Sequence, residues 1–272
     1  MKEIRVKKAE LNLDDYRMRS ALDSDFHTLI KESCVLVDDD TDKVLLIYKQ
    51  LDEEGFDSSE LALALQQINY QTTERVSGLK TTSRIFGYAP RVPLRKDFCS
   101  STSMADEHPR EHQLLLDYGV KVAQLYSDFA PETYATHTKT TDKVLRDYVI
   151  PGTPFTSGIV NKNNPLKYHF DSGNFKEVFS TMLAIRGGTA GGHLALPAYD
   201  VGLAIANNSV TIFDGQQILH GVTPIKFLTP DAYRFTIVYY SLRKMWDCLP
   251  LREEVERIRN VKFEREMRRA KK

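Results

Sequence analysis

The segment KYHFD, residues 167–171, places a histidine and an aspartate two positions apart between aromatic residues. On a β-strand, residues i and i+2 point to the same face, so His169 and Asp171 could reach one point together. A neutral imidazole and a carboxylate that converge suit either a divalent metal or an acid–base pair. A His-x-Asp tripeptide also arises by chance, so the pair predicts chemistry only if the chain supplies further partners.

A second histidine, His220, follows far downstream in ILHGV, after a strand, a D-G turn and another strand. Two histidines and one aspartate form the 2-His-1-carboxylate set, which leaves coordination positions open on Fe(II). A structural zinc site would require a fourth protein ligand and softer donor atoms. We therefore predict that His169, Asp171 and His220 bind a catalytic iron.

Fourteen residues after His220, the strand-like run AYRFTIVYYSLR carries an arginine, Arg234. Alternation predicts two faces for this strand, with Arg234, Thr236, Val238 and Tyr240 on one and Phe235, Ile237 and Tyr239 on the other. An arginine on an apolar strand is costly unless it meets an anion, and its planar guanidinium can hold a carboxylate by two parallel bonds. For Arg234 taken alone, a structural ion pair with an acidic residue is the alternative.

The elements that would position these residues are short and rich in β-formers. From about residue 153 to 245, apolar or alternating runs are separated by turn signals such as NNS, DGQQ and TPD, which predicts an antiparallel sandwich or barrel. Earlier in the chain, residues 35–51 predict a hairpin and 57–69 a capped helix. Residues 107–147 are helical in pattern, with one helix over 107–129 and a second short helix with a threonine cap over 140–150, and both are expected to cover a sheet. Residues 251–272 predict a terminal helix with nine basic and five acidic side chains.

Residues 75–96 are rich in Gly, Pro and Thr and contain six basic residues and no acidic one. We predict a basic loop here, in which Arg84, Arg91 and Arg95 contact nucleic-acid phosphates. The alternative is a solvated surface with no partner. The formal net charge of the chain is zero, so a polyanion would have to be bound by local patches of this kind.

The cysteines and the N-terminus bear on the compartment. Cys34, Cys99 and Cys248 are odd in number and far apart, which predicts no disulfide framework and a reducing environment. The N-terminal stretch lacks the apolar core of a signal peptide, and no run is long enough to span a membrane. We expect an intracellular protein of the cytoplasm or nucleoid, with no membrane contact and no obligate protein partner.

Together, the H-x-D pair, the histidine about fifty residues later and the arginine beyond it resemble the signature of Fe(II)/2-oxoglutarate dioxygenases, in particular the TET/JBP branch. The likeness covers roughly residues 84–245 and includes PFTSGIVNKNNPLKYHFD, HFDSGN and RFTIVYYS. It implies an α+β fold with a double-stranded β-helix core, jelly-roll or cupin-like, flanked by helices. The core would span residues 84–248, between an N-terminal α/β extension, 1–83, and the basic C-terminal helix, 249–272.

The resemblance also implies an activity. Fe(II), 2-oxoglutarate and O2 would hydroxylate the 5-methyl group of 5-methylcytosine or thymine in duplex DNA, with the target base flipped out of the helix. Arg234 and Thr236 would hold the 2-oxoglutarate carboxylate. The base would be contacted by four residues: Asn174, Tyr240, Val238 and Asn161. On the TET-like details, 5-methylcytosine is slightly favoured over thymine.

The sequence departs from the TET pattern in two respects and leaves other functions open. Thr236 stands where TET enzymes have serine, which keeps the hydroxyl, and three scattered cysteines cannot build the TET zinc region, so the chain is similar to compact phage and kinetoplastid members. An oxygenase of free nucleosides or other small molecules, or a non-catalytic β-helix binding module, would fit the same fold. We expect His193 to be structural or to line the pocket and His137 to cap a turn or face solvent.

Overall fold

Two β-sheets face each other across an apolar layer, and α-helices cover the outer side of the larger sheet. The computed structural model describes residues 1–52, 55–74, 80–92 and 97–271. Leu36 and Ala184 of the larger sheet pack with Leu196 and Leu203 of the smaller one in a single buried cluster. The predicted α+β class is therefore confirmed.

Seventeen strands lie in the described residues. They are β1 (Lys2–Val6), β2 (Thr28–Ile30), β3 (Cys34–Asp38), β4 (Val44–Gln50), β5 (Gln71–Glu74), β6 (Lys80–Ala89), β7 (Ser100–Ser101), β8 (Ser157–Lys162), β9 (Leu166–His169), β10 (Ser180–Gly187), β11 (Thr189–Gly191), β12 (Leu194–Leu196), β13 (Val201–Leu203), β14 (Ser209–Phe213), β15 (His220–Val222), β16 (Ile225–Phe227) and β17 (Tyr233–Tyr240). The larger sheet has the order β1-β3-β4-β14-β10-β17-β8-β6-β5, with β7 paired to β6, and the smaller sheet has the order β2-β13-β12-β15-β9. Strands β11 and β16 form a separate pair.

The described residues also contain five α-helices. They are α1 (Ser59–Gln67), α2 (Met104–Glu107), α3 (Pro109–Phe129), α4 (Pro131–Thr141) and α5 (Leu251–Ala270). Helices α1 and α3 bury Leu65, Leu115 and Val122 against the larger sheet. A Cβ on Gly119 of α3 would lie 3.0 Å from the Tyr239 ring of β17, so glycine allows the helix to cross this strand closely. In the described part of the chain, each helix is too short or too polar to span a bilayer.

Strand β17 shows how alternation in the sequence builds the layers. Phe235, Ile237 and Tyr239 are fully buried in the cluster that the helices share with the larger sheet. Thr236, Val238 and Tyr240 point to the opposite side, into the space between the two sheets. The two predicted faces of this strand are confirmed.

Most of the predicted elements are present. The hairpin over residues 35–51 corresponds to β3 and β4, which pair antiparallel, and the helices predicted over 57–69, 107–129 and 251–272 correspond to α1, α3 and α5. The second short helix predicted over residues 140–150 is wrong, because α4 ends at Thr141 and only the 3₁₀ turn Arg146–Tyr148 follows it. Strands β1, β3 and β4 extend the larger sheet beyond β14, so residues 1–52 share a sheet with the predicted core. The boundary drawn at residue 83 falls inside β6.

The basic loop expected over residues 75–96 is wrong for residues 80–89. These residues form β6, which pairs with β5 on one side and β8 on the other. Its Thr, Ile and aromatic residues favour a strand, and Phe86 is fully buried there. Residues 75–79 and 93–96 lie outside the described residues.

The sequence predicted no disulfide framework, but the structure contains one disulfide. Cys99 and Cys248 form a disulfide across a sequence separation of 149 residues. Their neighbours Tyr148, Phe175 and Met245 make a small buried cluster around the bridge. Cys248 follows β17 and Cys99 follows β6, and the fold brings these two segments together. Their wide separation along the sequence gave no sign of this contact. Cys34 is a free, buried thiol.

Candidate metal centre and active-site cavity

His169 and His220 lie directly opposite each other on neighbouring antiparallel strands, β9 and β15. Their ring centroids are 4.4 Å apart. Each Nδ1 lies within hydrogen-bond distance of the carbonyl oxygen two residues back, 2.8 Å to Lys167 and 2.9 Å to Ile218. A carbonyl only accepts, so each Nδ1 carries the proton and each Nε2 keeps the lone pair that a metal requires. The backbone thus fixes both imidazoles in the metal-binding tautomer.

Asp171 completes the set immediately after β9. Its Oδ1 lies 3.8 Å from His169 Nε2, and ligand atoms of the two histidines and Asp171 all lie within 4.8 Å of one another. The Asp171 amide donates to the Gly215 carbonyl at 2.8 Å, which anchors the residue to the turn before β15. Two imidazole nitrogens and one carboxylate on one side of a point suit a ferrous ion with open positions better than a closed structural zinc site.

Gly215 is a part of this centre that sequence reasoning missed. A Cβ at this position would lie 2.3 Å from Asp171 Oδ2 and 3.2 Å from His220 Cε1, so any side chain would displace the carboxylate. The adjacent Asp214 is half-buried, and this desolvation raises the pKa of its carboxyl, with the nearby charge of Asp171 adding to the rise. The sequence signal was the D-G dipeptide ahead of the distal histidine, which we had interpreted only as a turn.

A cavity of about 220 Å³ opens beside the three ligands, between the two sheets. Its polar lining includes Asn161, Asn174, Thr236 and Tyr240 together with the ligands. The remaining wall is mainly apolar and includes side chains from both sheets: Ile159, Met182, Leu194, Phe213, Val222 and Val238. A cavity that is apolar, with a few convergent polar groups at one end, is typical of a small-molecule or cofactor site.

Arg234 lies next to Thr236 on the cavity-facing side of β17, behind the residues that line the cavity. Its side chain is 2% exposed, and its Nη2 donates to the Gly192 carbonyl at 3.1 Å. Its Nε has no hydrogen-bond partner, and no acidic side chain pairs with it in the described part of the chain. Burial lowers the pKa of Arg234 to about 9, and the positive charge of Arg186 contributes. The structural ion pair considered from sequence is therefore not observed, and the guanidinium lacks a counter-ion.

The turn after β10 shapes the surroundings of Arg234. Arg186 lies directly across β10 and β17 from Arg234, and its guanidinium donates to Thr189 Oγ1, the Gly191 carbonyl and the Ile205 carbonyl. Gly192 has a φ of +67°, and a Cβ there would lie 3.0 Å from Arg234 Nε. The Gly-Gly pair is needed because it lets the turn approach the buried guanidinium.

The residues predicted to contact a base meet at the cavity. Asn174 is buried, lies in a β-bridge with Leu242 and places its Nδ2 3.3 Å from Ser180 Oγ. The Asn174 side chain therefore hydrogen-bonds to Ser180, another residue of the cavity wall, rather than capping the turn. Gly173 has a φ of +86°, as expected for the residue that permits this turn. Asn161 and Thr236 are directly opposite each other on β8 and β17.

The predicted phosphate ligands have intramolecular partners. Arg84 is 5% exposed, and its Nη2 lies 2.7 Å from Glu107. Arg91 Nε donates to Glu254 of α5 at 2.9 Å. The absence of counter-charge that motivated their assignment is thus incorrect, because the acids come from distant parts of the sequence. Arg95 lies outside the described residues.

Two further histidines differ in their surroundings. His193 does not line the cavity; its amide donates to Thr223 Oγ1, and burial lowers the pKa of its half-buried ring. His137, expected to cap a turn or face solvent, is fully buried, with its Nε2 2.9 Å from Ser241 Oγ. Burial lowers the pKa of His137 to about 3, so its imidazole is neutral. That expectation for His137 was wrong because α4 packs it into the aromatic core.

The family model Tet_JBP, described as the oxygenase domain of the 2OGFeDO superfamily, matches residues 91–243, which include the three ligands and Arg234. The chain belongs to the Tet_JBP family. The TET/JBP resemblance noted from the sequence is confirmed, and the family is one of Fe(II)- and 2-oxoglutarate-dependent dioxygenases.

Curated relatives of this Tet_JBP domain are similar at modest identity. Thymine dioxygenase JBP1 of Trypanosoma brucei brucei is 26% identical over 195 residues, which cover 69% of the chain and 22% of the relative. Thymine dioxygenase JBP1 of Leishmania infantum is 28% identical over 141 residues, covering 51% of the chain and 17% of the relative. The chain thus spans about a fifth of the length of these relatives.

A solved structure shares the fold of this Tet_JBP domain. NgTET1 in complex with 5mC DNA superposes with a TM-score of 0.57 at 15% identity, covering 83% of the chain and 82% of NgTET1. The predicted double-stranded β-helix core flanked by helices is confirmed by this likeness and by the two facing sheets.

Proposed function

We propose that this Tet_JBP domain is an active Fe(II)- and 2-oxoglutarate-dependent dioxygenase that hydroxylates the 5-methyl group of a pyrimidine in DNA. One observation carries the proposal: a metal-ligand triad lines a cavity, and Arg234, which has no counter-ion among the described residues, is buried two residues before Thr236 in the wall of the same cavity. A binding module that had lost catalysis would have no reason to keep both. The net reaction converts a methyl C–H into C–OH, consuming O2 and 2-oxoglutarate and releasing succinate and CO2.

His169, Asp171 and His220 would hold the iron. The donor set fits, because the Nδ1–H bonds to backbone carbonyls leave Nε2 as the ligand atom in both histidines. When bound, the ferrous ion supplies the oxidative chemistry, and the protein supplies orientation and an enclosed cavity. Gly215 keeps the space into which the Asp171 carboxylate extends.

Arg234 and Thr236 would hold 2-oxoglutarate. Its distal carboxylate would give the Arg234 guanidinium the charged acceptor that the described residues of the protein do not provide. Thr236 lies two residues along the same face of β17, lines the cavity, and adds a hydroxyl donor. This assignment gives the buried charge a role that the fold alone does not explain.

Asn161, Asn174, Val238 and Tyr240 would hold the target base. A methyl group within a DNA duplex cannot reach ligands enclosed between two sheets, so the nucleotide would have to be flipped out. Amide groups offer both donor and acceptor atoms and could meet the polar edge of either pyrimidine. Tyr240, at the end of β17, is half-buried and would pack on the ring.

The relatives favour two different bases. The JBP1 proteins are named for thymine, whereas NgTET1 was solved with 5mC DNA, and the TET-like Asn174 slightly favours 5-methylcytosine. The proposal therefore includes both 5-methylpyrimidines of DNA, and the assay must offer both.

The test incubates the protein with Fe(II), 2-oxoglutarate and duplexes that contain thymine, 5-methylcytosine or neither, and then quantifies nucleosides by mass spectrometry. We expect a 5-hydroxymethyl nucleoside from at least one methylated duplex, and none with an Asp171→Ala variant that removes a ligand. Free thymidine and 5-methyldeoxycytidine are included in parallel. Product from the free nucleosides alone would replace this proposal with a small-molecule oxygenase.

A further inference from the structure

The cavity opens next to a turn that no function described so far uses. Leu242 lines the cavity, and the short 3₁₀ turn Arg243–Asp247 follows it directly. The Arg243 amide donates to the Gly173 carbonyl at 2.9 Å, between the cavity-lining residues Ser172 and Asn174. The turn therefore lies at the rim of the cavity, beside the segment that carries Asp171.

Packing and a covalent bond fix the position of this turn. Met245 is fully buried, and Trp246 stacks on Phe175 with ring centroids 4.9 Å apart. Immediately after the turn, Cys248 is joined to Cys99 by the disulfide. A surface held by a buried anchor, an aromatic stack and a covalent bond is preorganised for contact with a partner.

Two basic side chains and Trp246 are exposed on this turn, and the exposed acidic residue Asp247 lies at its end. Arg243 and Lys244 are exposed, and the Lys143 ammonium lies 5.3 Å over the Trp246 ring. None of these three cations forms an ion pair in the described part of the chain, in contrast to Arg84 and Arg91. We call Lys143, Arg243, Lys244 and Trp246 the Trp246 face.

An exposed tryptophan among unpaired cations is unusual for a surface with no partner. The Trp246 residue is 38% exposed, although its large apolar area would favour burial. Basic side chains that surround an aromatic group at the mouth of a cavity match the chemistry of a nucleic-acid backbone, with phosphates for the cations and sugar or base surface for the ring.

We propose that the Trp246 face is the surface on which duplex DNA docks, with its cations on phosphates next to the nucleotide that enters the cavity. The inference rests on the proposed function for the identity of that nucleotide. The DNA-backbone contacts are thus assigned to a surface next to Asn174 and Leu242. Arg84 and Arg91, the residues first predicted to make them, have acidic partners instead. The rim would fix the phosphates while the base is held inside.

The test uses the full chain and an unmodified DNA duplex. Trp246 is the only tryptophan, so intrinsic tryptophan fluorescence reports directly from this face during a titration. The test variant carries Lys143→Gln, Arg243→Gln and Lys244→Gln. A matched control, Arg259→Gln, Lys262→Gln and Arg269→Gln, removes the same charge from exposed residues of α5.

We expect DNA to change the fluorescence of the unaltered protein. The face variant should bind roughly tenfold or more weakly, and the slope of log affinity against log salt should fall by about 0.9 per lost phosphate contact. The α5 control should keep the affinity and the slope. Absence of duplex binding by the unaltered protein, or a loss confined to the α5 control, would overturn the assignment of this face.

The hydroxylation assay on the same preparations separates this inference from the proposed function. If the unaltered protein hydroxylates DNA but the face variant keeps its affinity and salt slope, only the docking surface is wrong. If duplex binding depends on the face but no hydroxylated nucleoside forms, the surface assignment stands and the proposed function fails.

Discussion

The two faces of β17 are built from alternate residues of one strand but follow different rules. On the helix-facing side, Phe235, Ile237 and Tyr239 are fully buried, and the Tyr239 hydroxyl donates to the Leu115 carbonyl at 2.8 Å. On the cavity-facing side, Arg234 is equally buried, but within the described ranges its side chain has one hydrogen bond and no counter-ion. The side chains of the helix-facing side make their contacts within the protein, whereas the charge of Arg234 is left for a ligand to neutralise.

The helix-facing side of β17 contributes mainly to stability, and we expect the cavity-facing side to contribute mainly to function. Apolar burial on the helix-facing side stabilises the fold in proportion to the area removed from water. An uncompensated buried charge destabilises the fold, and natural proteins accept such costs mainly at functional sites. The comparison predicts that substitutions on the two faces of this one strand act on different measured quantities.

The largest effect on stability is expected on the helix-facing side. Ile237→Ala would leave a cavity between the larger sheet and its helices and lower the free energy of unfolding by about 2–5 kcal/mol. Its effect on 2-oxoglutarate affinity should be small. Urea denaturation measures the first quantity, and calorimetric titration of the folded protein measures the second. Val238→Ala, on the half-buried cavity side, is the control, and an equal loss of stability there would contradict the comparison.

Arg234→Met should have the opposite profile. Loss of a charge-assisted pair in a buried site weakens 2-oxoglutarate binding by at least about 2 kcal/mol, roughly thirtyfold. The free energy of unfolding without ligand should stay the same or rise, because a buried charge without a partner is removed. Calorimetric titration and urea denaturation measure the two quantities.

Arg186→Met is the matched control for this substitution. Its guanidinium donates to three acceptors around the turn after β10, so its loss should reduce stability. An Arg234→Met protein that is destabilised and still binds 2-oxoglutarate normally would show that Arg234 is structural.

Gly215→Ala tests the metal end of the cavity. The added methyl group would overlap the Asp171 carboxylate, so we expect a drop of roughly 10–100-fold in affinity for Co(II), used as a stable probe for Fe(II). Calorimetric titration with Co(II) measures this without any turnover. Gln217→Ala, an exposed change two residues away, should bind Co(II) normally. Equal affinities for Gly215→Ala and the unaltered protein would mean that the Asp171 carboxylate does not occupy this space when metal is bound.

The sequence was informative where function follows from spacing along strands. Alternation placed His169 with Asp171 and separated the two faces of β17, because a side chain on a strand has only two directions. It was uninformative where partners come from distant segments. Glu107 neutralises Arg84, Glu254 neutralises Arg91, and neither contact leaves a local pattern. The same reason hid the disulfide and the space that Gly215 leaves for a carboxylate.

His137 is a buried polar residue on the helix-facing side of β17. Its replacement is expected to have the smallest effect, which is on the pH dependence of stability. It contacts Ser241, which continues the Phe235–Tyr239 face beyond the end of β17, and its neighbours Tyr126 and Phe155 are aromatic. Burial lowers the pKa of its imidazole to about 3, whereas an unfolded histidine titrates near 6.5. Between these two pH values the unfolded state binds the extra proton, so stability falls as the pH falls, by at most about 1.4 kcal/mol per unit from this group.

Replacing His137 should therefore flatten the pH dependence of stability. The free energy of unfolding lost between pH 7 and pH 5 should be smaller by about 2 kcal/mol in His137→Asn than in the unaltered protein, as measured by urea denaturation at each pH. His27→Asn, at an exposed surface position, is the matched control and should keep the original dependence. If His137→Asn and the unaltered protein lose the same stability on acidification, the pKa of the buried imidazole is not lowered, and the ring becomes charged in the folded protein at pH 5. The helix-facing side of β17 would then contain an uncompensated charge, as the cavity-facing side does at Arg234.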